Sequence, residues 1–258
     1  MITLHKKFLY MDLNYFFNRA TVREYSSRDV DENTLNEMIE AASHAPTTGG
    51  RQLYSVVVTR DKDMKERLSP CHFGQPMVIT APVVLTFCAD FNRFVAWCRA
   101  SNAEPGYDNL QSLMSAILDV TIFAQQFNTI AEMNGLGCCY LGTTTYNPEE
   151  IAEVLKLPHR VVPIITLTVG YPKHNEQVMT DRLPLEGIVH HEKYHEMNAD
   201  DVKMVYSHKE SLDVNRQFVK ENNKATLAQV FTDVRYPRES NELFSKKLFE
   251  YLKEKNYL

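Results

Sequence analysis

Arg19-Ala-Thr-Val-Arg23 puts two guanidiniums and a hydroxyl within a few residues of one another, ahead of a patterned helix that Asp31 opens. Arginine presents permanently charged donors in a fixed fork, a geometry that suits phosphate better than the point charge of lysine. Taken alone, the pair also reads as two solvated charges beside a helix, so its chemistry depends on which later segments converge on it. His191-Glu192-Lys193-Tyr194-His195 spells H-E-x-x-H, in which histidines one helical turn apart bind zinc and the glutamate acts as general base. That chemistry requires a helix through the motif, whereas Gly187-Ile188-Val189 just before it reads as extended. Gly135-Leu-Gly-Cys-Cys-Tyr-Leu-Gly142 is a glycine-rich turn, but it follows a helix and has the wrong spacing for the dinucleotide fingerprint. It reads as a helix stop packed into a strand, and glycine would let a flat ring approach the backbone at Leu141-Gly142-Thr143.

The elements that must position these groups follow from periodicity. Asp31 is an N-cap followed by Leu35, Met38, Ile39 and Ala42 at helical spacing, and Pro46 ends that helix by Ala45. Thr47-Thr48-Gly49-Gly50-Arg51-Gln52 is a polar loop, and Leu53 to Thr59 and Val83 to Ala89 are strands. Leu110 to Met133 is the longest regular segment, apolar almost all round, which marks a helix buried in a core or between subunits. Gly135 stops it. Asp119 is a charge inside this apolar pattern, suited to pairing with an internal arginine or to capping backbone. A short helix over Glu149 to Leu155 and a strand over Val161 to Val169 follow, then a polar, irregular stretch to about Tyr194. An amphipathic helix runs from Glu239 to Tyr257. Alternating strands and long helices imply a layered α+β or α/β domain with a C-terminal helical region appended.

Composition narrows the function. The chain has 258 residues, 44% hydrophobic and 24% charged, as in an ordinary globular protein. A net charge of −5 without a basic run argues against nucleic-acid binding. No stretch approaches the roughly 20 apolar residues of a membrane span, and the N-terminus lacks the apolar core and cleavage site of a secretory leader. Five cysteines, two of them adjacent, make a poor disulfide framework, so a reducing, cytoplasmic setting is expected.

Together the segments resemble the FMN-dependent nitroreductase family, and within it the oxygen-insensitive NADPH nitroreductase and NADPH–flavin oxidoreductase branch. The likeness rests on the order and spacing of Arg19-Ala-Thr-Val-Arg23, Ala45-Pro-Thr-Thr-Gly-Gly-Arg-Gln52, Phe87-Cys-Ala-Asp-Phe-Asn-Arg93, Gly135-Leu-Gly137 through Gly142, and Arg182-Leu-Pro184 followed by Val189-His190.

The resemblance implies an α+β fold: a three-layer α/β/α sandwich with a mostly antiparallel central sheet, built as an intertwined homodimer. It implies one domain over residues 1–258, with a core to about 195 and a C-terminal helical extension beyond. FMN would sit at the subunit interface and the long central helix would pack on its symmetry mate. Arg19, Ala20, Thr21, Arg23 and Arg182 match the phosphate and ribityl end. Thr47, Thr48 and Gly49 match a loop reaching the flavin from the other subunit, Gln75 a side chain near the ring, and Leu141, Gly142 and Thr143 the backbone over its polar edge. NADPH or NADH would give hydride to flavin N5, and nitroaromatics, quinones or flavins would take it in turn, with no side-chain acid, base or metal. Gly50 stands where relatives carry asparagine, Thr180 where lysine is common, and Cys138-Cys139 are bulkier than usual. Lys220 and Lys224 are candidates for NADPH preference. Two other readings stand beside this one: a zinc hydrolase using His191, Glu192 and His195, and a flavin-binding protein without reductase activity.

Overall fold

A computed structural model describes residues 13–174 and 179–258. Its centre is one antiparallel sheet of β1 (Tyr54–Thr59), β2 (Val83–Asp90), β3 (Gly137–Leu141) and β4 (Val161–Gly170), in the spatial order β1-β2-β4-β3. Every residue of β2 is buried. That is the signature of a strand covered on both faces, and it explains why its sequence shows a continuous apolar run in place of alternation. Ile165 pairs with Phe87 and Pro163 with Cys88, so Ile164 bulges out of register. Proline has no N–H to give the ladder, and a bulge beside it removes the conflict.

The chain winds helices around this sheet: α1 (Leu13–Phe17), α2 (Glu32–Ser43), α3 (Lys62–Leu68), α4 (Pro76–Thr80), α5 (Asn92–Ala100), α6 (Leu110–Met133) and α7 (Pro148–Leu155). The C-terminal region adds α8 (Ala199–Ser211), α9 (Asp213–Glu221), α10 (Leu227–Val230) and α11 (Arg238–Glu254). Helices α2 and α6 cover one sheet face, around Leu35, Leu113, Val120, Phe123 and Phe127, while Leu68, Val78 and Ile151 of α3, α4 and α7 build a second cluster. Tyr251 of α11 and Tyr257 are buried in the first cluster. The caps are those the residue types favour: Asp31 accepts from the Thr34 amide and Asn109 from the Ser112 amide.

Helix α6 runs over the residues its pattern predicts, but one stripe of it stays open. Leu110, Met114, Leu118 and Ile122, one turn apart, are 51, 45, 57 and 41% exposed. A repeat of four apolar residues facing outward on a core helix marks a surface built for covering. Periodicity alone misses α1, α3, α4 and α5, which at five to nine residues each are too short for a clear period. It also runs the last helix a few residues past its observed end, where Asn256 turns left-handed at φ 60°.

Candidate cofactor site

The Arg19–Arg23 segment lies against the free edge of β3. The Val22 amide donates to the Cys138 carbonyl at 3.1 Å, and Tyr25 forms an isolated bridge with Pro172. The buried Tyr25 hydroxyl reaches the Val22 carbonyl at 2.9 Å and Thr168 Oγ1 at 2.7 Å, tying the segment to β4. A Cβ added at Gly137 would stand 2.3 Å from Val22 Cγ2, so only glycine lets the segment come this close. Arg19 forms an ion pair with Glu132 near the end of α6 (2.9 Å), and Tyr15 donates to the same carboxylate at 3.0 Å. Arg23 is exposed, and its guanidinium lies by the Cys139 thiol. A cavity of about 670 Å³ opens here, lined by Tyr15, Arg19, Ala20, Glu132, Gly137 and Met179 among others.

Strand β3 leads straight from this edge into the Leu141-Gly142-Thr143 turn. Gly142 is exposed, and a Cβ there would meet nothing within 4 Å, leaving its backbone open to a flat ring. Thr143 Oγ1 shares a hydrogen bond with His72 Nδ1 (2.8 Å) and accepts one from Gln75 Nε2 (3.4 Å). Two segments some 70 residues apart in sequence, His72–Gln75 and Leu141–Thr143, thus meet at one turn. His72 was not anticipated. A lone histidine in a loop gives no sequence signal, yet it is fully buried, and burial depresses its pKa to about 4, so it is neutral at pH 7. Its Nε2 has no protein hydrogen-bond partner.

The Thr47–Gln52 loop is a 3₁₀ turn over Thr48–Gly50, with Gly49 and Gly50 at φ 61° and 70°. It is seated on Asp119, which caps backbone and pairs with no arginine in the observed contacts. Thr47 Oγ1 (2.5 Å), Thr48 Oγ1 (2.7 Å) and the Thr48 amide (2.8 Å) all donate to its carboxylate. Burial opposes ionisation of Asp119, but the bonds from Thr47, Thr48 and Leu53 outweigh it and hold the carboxyl below its ordinary range. Arg182 is exposed and donates to Thr180 and Asp181 within its own loop. Thr180, standing where lysine is common, therefore orients this guanidinium. Lys224 is engaged by Asp233 at 2.8 Å, whereas Lys220 is exposed on α9.

The zinc-hydrolase reading is corrected by the backbone. The chain bends through His191-Glu192-Lys193, and Glu192 sits at φ 63°, a left-handed value that interrupts any helix. The His190 ring packs instead on Tyr194 at 4.3 Å. Among the described residues no group of three or more His, Cys, Asp or Glu is placed to hold a metal ion.

The fold and this edge site define a nitroreductase-type sandwich. A model of the nitroreductase family matches residues 17–171, and the chain belongs to that family. It is 33% identical to an FMN reductase [NAD(P)H] of Bacillus subtilis, over 72% of this chain and 74% of the relative. A Cr(VI) reductase of a Pseudomonas species is 30% identical over 74% of this chain and 78% of its own length. A solved structure of a presumed oxidoreductase from Bacteroides fragilis superposes with a TM-score of 0.93 at 52% identity, covering 95% of this chain and 99% of that one.

No helix runs through His191 to His195, and hydride transfer through a flavin calls on neither histidine. Replacing both with alanine is expected to leave flavin content and NAD(P)H oxidation at wild-type levels. A loss of activity that tracked a loss of bound zinc would reinstate the hydrolase reading.

Proposed function

We propose that the protein is an FMN-dependent NAD(P)H oxidoreductase acting as a homodimer on flat acceptors such as nitroaromatics, quinones or flavins. The observation that carries this reading is one sheet edge, β3, with Arg19 and Arg23 on the segment docked at its Gly137–Cys139 end and the open Leu141–Thr143 turn at its other end. The residues fit the cofactor: guanidiniums suit its phosphate, and an exposed glycine flanked by backbone amides suits a flat ring with a polar edge. When bound, FMN supplies hydride transfer between a reduced nicotinamide and the second substrate.

The chain's own part is to bind, orient and tune. Arg19 and Arg23 compensate the phosphate charge, with Arg182 brought in from its loop and Ala20 and Thr21 lining the ribityl chain. Gln75 and the backbone of Leu141–Thr143 meet the ring edge, where fixed donors stabilise negative charge as it develops. Asp119 and Glu132 lie thirteen residues apart on α6, which is about 20 Å along a helix. The Thr47–Thr48 loop and Arg19 are therefore held too far apart in one protomer to share one phosphate. This spacing supports a loop that serves the partner's flavin, and the open Leu110–Ile122 stripe offers the surface on which two copies of α6 meet. We place the protein in the cytoplasm, a reading supported by cysteines that are all free and buried. Among the described residues no helix is long and apolar enough to cross a membrane.

The test is optical. Purified protein is expected to be yellow, to release flavin on heating, and to bleach under anaerobic conditions on addition of NADPH or NADH. Flavin that stays oxidised with both donors would make the protein a binder without reductase activity. A colourless protein that takes up no added FMN would sink the reading altogether.

A further inference from the structure

Asp119 stands outside every segment that marks the family likeness, yet its contacts decide what the hydroxyl loop can offer a ligand. It is 1% exposed. Its carboxylate takes the Thr47 hydroxyl, the Thr48 hydroxyl and amide, and the Leu53 amide (3.3 Å). A threonine hydroxyl has one proton. Both hydroxyl protons of the loop are therefore given to Asp119, and neither is available at the same time to a phosphate or a flavin carbonyl. Thr47 Oγ1 also accepts the Gln52 amide at 2.9 Å, closing the turn on itself. Arg93 holds the far end by donating to the Gln52 carbonyl at 2.6 Å and the Tyr54 carbonyl at 3.1 Å. What remains outward is backbone: a Cβ on Gly50 would meet nothing within 4 Å.

We propose that Asp119 is the positioning residue of the cofactor loop. By taking both threonine protons it makes the Thr48–Gly50 backbone, in place of the hydroxyls, the surface that meets the flavin. It does so from the helix that carries the open apolar stripe, so the loop's place is set by the same element that meets a second copy. The inference rests on the FMN reading above.

Asp119→Asn keeps the side-chain volume but turns an N–H toward either the Thr48 amide or the Leu53 amide, whichever way the carboxamide is rotated. The full-length protein is stripped of flavin, and wild type, D119N, T48V and the double variant are titrated with FMN by flavin fluorescence. Tryptic cleavage after Arg51 is followed in the flavin-free forms. D119N is expected to bind FMN roughly tenfold more weakly, the scale of one lost charge-assisted bond, and to be cut faster at Arg51. The double variant is expected to bind no more weakly than D119N, because Thr48 acts through Asp119. Additive losses would mean that the Thr48 hydroxyl serves the flavin itself, and would overturn the proposal. Should D119N not fold, T48V alone decides: FMN loss with faster cleavage supports the proposal, and FMN loss with unchanged cleavage overturns it. Wild type that binds FMN while D119N binds it equally overturns this inference alone, whereas wild type that binds none overturns the FMN reading as well.

Discussion

Removing Arg19 and Arg23 together is expected to strip the protein of FMN. Each lost charge-assisted hydrogen bond costs about 1.5–3 kcal/mol, so the pair should weaken binding by about 3–6 kcal/mol, roughly a hundredfold to ten-thousandfold. At that level flavin is lost during gel filtration. One complication has to be removed by design. The Glu132 side chain is only 9% exposed and loses its guanidinium when Arg19 becomes alanine, and an unpaired buried carboxylate would destabilise the fold by itself. The comparison is therefore between Glu132→Gln and the triple variant Arg19→Ala, Arg23→Ala, Glu132→Gln. FMN per chain after gel filtration is the measurement, with thermal unfolding of the flavin-free proteins as the control. Equal flavin retention in both would remove these arginines from the site.

Gly137→Ala should act on the same site through sterics alone. The new Cβ would fall 2.3 to 2.8 Å from all three branching carbons of Val22, itself 4% exposed. Something must move, and β3 is held on its other side by β4 from Gly137 to Leu141. The Arg19–Arg23 segment is the freer partner. Overpacking of this kind costs about 1–3 kcal/mol, which lowers the melting temperature by roughly 2–12 °C in a chain of this size. FMN affinity should fall with it, since both guanidiniums ride on the displaced segment. Adding Val22→Ala restores the space and should recover most of both losses. An unchanged melting temperature in the single variant would show that the close approach at Gly137 is not required.

The regular elements were readable because each rests on a short-range signal. Asp31 capping α2, the run of β2 and the full length of α6 depend on neighbours a few positions away. Gly135 adopts the left-handed turn (φ 78°) that its place after α6 suggests. The H-E-x-x-H motif shows the limit of such signals. Five letters name the ligands, but only a backbone one turn long makes them a metal site, and here Glu192 breaks it.

The candidate site divides in the same way. By itself the sequence determined which residue types are present and in what order: two arginines after a short apolar segment, a hydroxyl-glycine loop, a glycine-rich turn and a late arginine. Those suffice for the family and for the class of ligand, because charge and conformational freedom belong to the residues themselves. Only the tertiary structure decided how each group is spent. Antiparallel pairing of β3 with β4 carries the glycine turn to the edge where Arg19 and Arg23 lie. Burial makes His72 a neutral partner of Thr143, and Asp119 takes up the hydroxyl protons that the loop seemed to offer a ligand. A proton can be given to one acceptor at a time, and which acceptor is nearest is set by residues some 70 positions away in the chain.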